Sequence, residues 1–193
     1  MNFGEIVNRA RSRCTESLVE QINLRQAEGY QVIIEPAPRL QGGIAFAPDG
    51  LKLPLRYDLV FQDSLGVYHS ENAKSTTLNF SESVFVTWEQ RLKVELRSLC
   101  WDYMQIELFS VQDEPGWEGL RQWFLKWFDL EDNKKAQPNG LHGVVHFISD
   151  PILKDGRVSL FVDLGSASSD ALAELFDEFI KLGSISCIIG KSL

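Results

Sequence analysis

Apolar and polar positions along this chain keep two rhythms, and in the second half those rhythms repeat as strand, amphipathic helix, strand. Met104, Ile106 and Leu108 alternate with Gln105 and Glu107, which predicts a strand with one apolar and one polar face. Leu120, Trp123, Phe124, Trp127 and Phe128 then recur at helical spacing, with Pro115 suited to the first turn and Asp113 or Glu114 before it as cap. Leu141–Ile148 reads as the next strand, stopped by Asp150-Pro151. The second unit opens with Val158–Leu164, the most apolar strand and so expected to be central. A helix follows, capped by Ser168 or Ser169 and ended by Gly183, with Leu172, Leu175, Phe176, Phe179 and Leu182 as its buried stripe. Ser184–Ile189 closes the unit.

The first half begins with a helix over residues 3–28. Phe3, Ile6, Val7, Ala10, Cys14, Leu18 and Ile22 form its apolar stripe, and Gly29 supplies a left-handed stop. Strands follow at Tyr30–Ala37, around Ile44–Phe46 before the Pro48-Asp49-Gly50 turn, and at Arg56–Gln62 paired with Gly66–His69. The polar stretch Ser70–Ser83 reads as an exposed loop, and strands resume at Val84–Trp88. Leu92, Val94 and Leu96 alternate with charged residues and predict a strand, although Leu92, Leu96 and Leu99 also fit a helix.

These elements predict an α+β fold with an antiparallel sheet, two helices on one face, and a helix-plus-strand N-terminal half covering the second face or extending an edge. The order β-α-β-β-α-β over roughly residues 100–190 resembles the ferredoxin-like superfold, and that resemblance implies that the first and third strands of the unit lie in the middle of the sheet. Element order of this kind hosts many unrelated activities. The whole of 1–193 is expected to form a single compact domain, with 1–99 and 100–193 as its sub-parts.

Composition narrows the function classes. The 193 residues are 44% hydrophobic and 24% charged, enough to bury a core. No apolar run approaches the ~20 residues that span a bilayer, and the N-terminus has no secretory pattern, so the cytoplasm is the expected location. Cys14, Cys100 and Cys187 are far apart and read as reduced, buried thiols. The net charge of −8 disfavours nucleic-acid backbone and favours a basic protein partner.

Four constellations could carry chemistry. His142 and His146 would project from one face of their strand, where Asp163, Ser159 or Glu107 could join them as ligands or proton carriers. Two histidines four residues apart on a strand are about 13 Å apart, too far to share one ion. The turn Val162–Ser166 opens a helix, but it lacks the glycines of a phosphate loop. The aromatic helix offers Trp123, at the edge of its arc, as an exposed contact. Acidic residues including Glu114, Glu118, Asp129 and Glu131 on one helix, with Asp170, Glu174, Asp177 and Glu178 on the other, would make an acidic surface. No motif of hydrolases, zinc proteases or EF-hands is present.

The resulting expectation is a non-enzymatic protein-binding module without cofactor or metal. A small acidic inhibitor of the bacterial immunity-protein type would fit, with Glu118, Trp123, Asp129 and Asp177 meeting the partner. The alternative is a small-ligand or metal-binding protein, or an enzyme, using the polar sheet face at Glu107, His142, His146 and Asp163. A third reading is a homo-oligomer built through a sheet edge or the aromatic helix.

Overall fold

The computed structural model describes residues 2–37, 53–74, 76–111 and 116–190. The strand expected around Ile44–Phe46, its Pro48-Asp49-Gly50 turn and the helix start at Asp113, Glu114 and Pro115 lie outside those residues. Helix α1 (Phe3–Ala27) begins at Asn2, whose side chain accepts from the Glu5 N–H while the Glu5 carboxylate accepts from the Asn2 N–H, each at 2.9 Å. Ile6, Val7, Ala10, Cys14, Leu18 and Ile22 of the stripe expected from sequence are buried, Phe3 at its start is half-buried, and Thr15 is buried beside them. At 1.5 Å per residue α1 is about 37 Å long, enough to reach across two sheets. Its first half joins the main core, while Leu18 and Ile22 join a second cluster with Leu59, Ala73 and Leu141.

The first sheet is antiparallel and holds β1 (Gln31–Ile34), β2 (Leu59–Gln62) and β3 (Tyr68–Glu71) in that order. The β2–β3 turn is held by the Asp63 carboxylate, which accepts from the Leu65 and Val67 N–H groups. The second sheet contains β4 (Thr77–Trp88), β5 (Leu92–Cys100), β6 (Met104–Phe109), β7 (Phe147–Ile148), β8 (Ile152–Lys154), β9 (Arg157–Asp163) and β10 (Ser186–Ile189). Its order is β4-β5-β10-β6-β9-β7, with β8 also paired to β9. Within the repeated unit, β6 and β9 therefore lie inside, and β10 and β7 flank them. The N-terminal half extends the sheet through β5 and β4. Because β5 runs parallel to β10, the sheet is mixed rather than wholly antiparallel.

Helices α2 (Glu118–Phe128) and α3 (Ser169–Lys181) pack side by side on one face, tied by the Trp123 indole N–H donating to the Ala171 carbonyl at 2.9 Å. Beneath them lie Met104, Ile106 and Leu108 of β6 and Val158, Leu160 and Val162 of β9, the buried members of each alternation. Ser168 caps α3, accepting from the Asp170 N–H, and Gly183 lies just beyond its end at φ +83°. Among the described residues, no helix is long and apolar enough to cross a membrane.

Two local expectations are corrected, and the strand expected at Leu92, Val94 and Leu96 is found. Residues 77–83 belong to β4, where Thr77–Asn79 pair with Ser98–Cys100 and the register shifts between Asn79 and Val84. Pairing with a distant strand makes this polar stretch extended. Residues 92–100 are strand, not helix. The strand expected at Leu141–Ile148 shrinks to Phe147–Ile148, because Gly143 adopts φ +72° and breaks the alternation. The backbone of 142–145 is engaged elsewhere: His142 N–H on the Glu35 carboxylate, Gly143 N–H on the Ser166 hydroxyl, and Val145 N–H on the Trp127 carbonyl.

Candidate functional site

That irregular segment carries His146 to the junction of the two sheets, where the imidazole is fully buried among carboxylates. Its Nε2 lies 2.8 Å from Glu35 Oε1 and its Nδ1 lies 2.8 Å from Asp58 Oδ1 and 3.8 Å from Asp163 Oδ2. Each carboxylate comes from the end of an element. Glu35 directly follows β1, Asp58 directly precedes β2, and Asp163 is the last residue of β9. Glu35 adopts φ +49°, an unusual conformation for a side chain of this kind, and its N–H donates to the Asp58 carbonyl at 2.9 Å.

The carboxylates share one arrangement: a backbone N–H fixes one oxygen and the other oxygen turns to the imidazole. Glu35 Oε2 accepts from the His142 N–H at 2.6 Å, Asp58 Oδ2 from the Ala73 N–H, and Asp163 Oδ1 from the Gly165 N–H at 2.8 Å. The backbone thus sets the side-chain rotamers in advance of any ligand. Gly165 has its own reason to be glycine. At φ +50° it lies so close that a β-carbon would overlap the His146 ring and the Val144 carbonyl oxygen.

Arg56 locks the group from behind. Its buried guanidinium donates to the Phe128 carbonyl at 2.8 Å, the Glu35 carbonyl at 2.7 Å and the Asp129 carbonyl at 2.6 Å, and to Asp132 Oδ1 at 2.6 Å. It also stands over the Phe128 ring, 4.6 Å from its centre. Two of those carbonyls end α2, so the cation sits at the negative end of that helix and joins it to Glu35.

Electrostatics follow from this packing. Burial alone would lower the His146 pKa, but the charge of Asp163 and the hydrogen bonds of Asp58 and Glu35 prevail and hold it well above its usual value. The ring is therefore an imidazolium that donates from both nitrogens. Burial tends to raise the pKa of Glu35, yet the hydrogen bond and charge of His146 outweigh it and the net shift is downward. Asp163 is pushed up to about 7, chiefly by burial, with Asp58 adding repulsion that His146 offsets in part. A carboxyl group poised there can hold or release a proton near neutrality.

The cluster opens on a pocket of about 400 Å³. Its lining combines the carboxylates of Asp58, Asp102 and Asp163 with the rings of Tyr57, Tyr103 and Phe147, and Arg56 also borders it. Tyr103 stacks on Phe161 with ring centres 5.2 Å apart.

The sequence-predicted residues divide. His146 and Asp163 are brought together, Nδ1 to Oδ2 at 3.8 Å. His142 contributes its backbone N–H to Glu35 rather than sharing a strand face with His146. Glu107 pairs with Ser159 on β9, four residues from Asp163 and about 13 Å along the strand, outside the cluster. Trp123, expected to be exposed, is 4% accessible, because its indole N–H is drawn inward to Ala171. Asp129 fixes a turn by accepting from the Asn133 and Lys134 N–H groups, and Asp177 accepts from the Trp88 indole at 3.0 Å. Glu118 is exposed and hydrogen-bonded to Gln122. Around them Lys126 pairs with Glu174 and Lys181 with Glu178, which offsets the acidity of the helix faces. Motif and spacing do not single out Glu35, Arg56, Asp58 or Asp102. For the first three the available signal is a charged residue inside an apolar run, as in Val32-Ile33-Ile34-Glu35 and Leu55-Arg56-Tyr57-Asp58-Leu59.

Comparison with protein-family models, curated proteins and solved structures finds no match for this chain.

Proposed function

We propose that the protein binds a cationic group in the pocket lined by Asp58, Asp102 and Asp163. The observation that carries this reading is that Asp58, Asp102 and Asp163 line one pocket together with the aromatic residues Tyr57, Tyr103 and Phe147. Carboxylates attract a cation, and aromatic faces add cation–π attraction once it is partly desolvated. The internal cations leave room for such a guest. Arg56 is committed to carbonyls and Asp132, and among the described residues His146 is the cation paired with Glu35, Asp58 and Asp163. Burial, with repulsion from Asp58 added and attraction from His146 offsetting part of it, raises Asp163 to about 7, so a cationic guest would favour its ionised form near neutrality.

This reading draws on both expectations from sequence. It uses His146 and Asp163 of the ligand-binding alternative, and it preserves the preference for a basic partner while moving the contact from the helix faces to the pocket. The test is a thermal melt at neutral pH with a panel of cations: amines, guanidines, amides of lysine and arginine, and divalent metals. A ligand that binds only the native state raises Tm in proportion to its saturation. The reading expects at least one cation class to raise Tm in wild type and to lose that effect in Asp163→Asn. A flat response to every cation overturns it.

A further inference from the structure

We propose that His146 Nδ1, Asp58 Oδ1 and Asp163 Oδ2, the last two from residues that line this pocket, hold a divalent transition-metal ion such as Zn²⁺ or Mn²⁺. The inference rests on the pocket being the working site and names the cation it takes beside His146.

The geometry carries it in three steps. First, one atom each of Asp58, His146 and Asp163 lies within 4.8 Å of the other two, with Nδ1 at 2.8 Å and 3.8 Å from its neighbours. Ligands about 2.1 Å from an ion at tetrahedral or octahedral angles stand about 3.0–3.4 Å apart, so both distances from Nδ1 are within a few tenths of an ångström of that spacing, and the two carboxylate oxygens, within 4.8 Å of each other, close on the ion by side-chain rotation. Second, the ligand set suits the ion: imidazole and carboxylate together select Zn²⁺ or Mn²⁺ over softer or harder alternatives. Three protein ligands beside an open pocket leave further positions free, the pattern of a metal that meets an exogenous ligand.

Third, the surroundings are those a metal-bound histidine requires. The nitrogen remote from the ion donates to a carboxylate, here Nε2–H to Glu35 Oε1 at 2.8 Å, which fixes the tautomer and aims Nδ1 at the two aspartates. Glu35 is itself fixed by the His142 N–H, and the unused oxygens of Asp58 and Asp163 are fixed by the Ala73 and Gly165 N–H groups. A surface carboxylate cluster would lack this support. On binding, the ion takes the place of the proton between Nδ1 and Asp58.

The experiment titrates the full chain, stripped with a chelator and dialysed, with Zn²⁺ and separately with Mn²⁺ by calorimetry. Wild type is expected to bind one equivalent with Kd of about 10 µM or tighter. Asp163→Asn removes a ligand that is partly open to the pocket, and Glu35→Gln loosens the ring. Each should weaken affinity about 10–100-fold while circular dichroism stays native. His69→Gln, at the exposed Asp63–His69 pair of the β2–β3 hairpin, should bind as wild type does. Absence of stoichiometric binding at about 0.1 mM metal, or binding that Asp163→Asn leaves unchanged, overturns the metal site. If it falls while an amine or guanidine still raises Tm through Asp163, the pocket reading survives without the metal. If no cation of any kind acts, both fall.

Discussion

Replacing Arg56 with Met tests whether the site is held from behind by a buried guanidinium. The substitution keeps the unbranched aliphatic stem of the side chain but removes every donor and the guanidinium that stands over Phe128. Three backbone carbonyls lose a charged partner: Phe128 and Asp129 at the end of α2, and Glu35 beside the cluster. An orphaned buried acceptor costs about 1–3 kcal/mol, and losses within one network overlap, so the total should fall near 3–5 kcal/mol. The ion pair with Asp132 adds little, because that carboxylate is 45% exposed while the guanidinium is 3% exposed. Asp132→Asn should therefore cost under about 1 kcal/mol. Arg56→Lys keeps the charge but has no planar fork to serve several acceptors at once, and should land between the two. The assay is urea unfolding at neutral pH in chelator-treated buffer, accepting only variants whose m-value matches wild type. A domain of this size has about 5–15 kcal/mol to lose, so the Met variant should lie far below wild type in midpoint. An Arg56→Met protein within about 1 kcal/mol of wild type would refute the reasoning, since the carbonyls would then have found other partners.

The remaining predictions concern the same junction and the thiols. Gly165→Ala should destabilise by about 2–5 kcal/mol in urea unfolding, combining a left-handed backbone with overlap on His146 and Val144; a neutral effect would show that the ring is free to move. In metal-free protein, Asp163 has its pKa raised from 3.8 to about 7, so the folded state keeps a proton that the unfolded chain releases. The stability of wild type relative to Asp163→Asn should therefore fall as pH rises from about 4 to about 7 and level off beyond it, as read from unfolding midpoints across that window. A rising difference would reverse the assignment. Burial raises the thiol pKa of Cys14 and Cys187, the former further through nearby carboxylates, so in native protein at mildly alkaline pH site-resolved alkylation should mark Cys100 first. Labelling of Cys14 or Cys187 at the rate of Cys100 would contradict that packing.

What can be read from sequence depends on how locally each feature is determined. The α1 stripe, the Ser168 cap, the Gly183 stop and the alternation in β6 each rest on neighbours within a few residues, and each is found in the structure. The hairpin joining β8 to β9 is equally local, although it is not among the expected elements: Asp155-Gly156, at φ +51° and +68°, is a strong two-residue turn signal. The polar first half of β4 is not legible. Nothing within residues 77–83 marks a strand, and its extension follows from a partner about twenty residues away. Nor can any local pattern show that β10 inserts between β5 and β6, since strand order is settled by contacts distant in sequence.

The site lies between these cases. Its parts are visible in the sequence and its assembly is not. Glu35, Arg56 and Asp58 each interrupt an apolar run, and a charge that must be buried with its strand has to find a partner or forfeit several kcal/mol. That argument alone predicts that such residues meet one another or an opposite charge, without saying where. The topology then supplies the place. β1 and β2 pair antiparallel, so the end of one adjoins the start of the other, which sets Glu35 beside Asp58. β7 pairs with the end of β9, which sets the segment preceding Phe147 beside Asp163. His146, unlike His142, is at the one step of that segment where its N–H bonds to the Asp163 carbonyl and its ring meets the carboxylates of both sheets. A search for motifs spaced along the chain misses such a centre, because its ligands are spaced by pairing. Asking of each charged residue in an apolar stretch which strand end it occupies brings Glu35, Asp58 and Asp163 forward together, since all three close or open a strand.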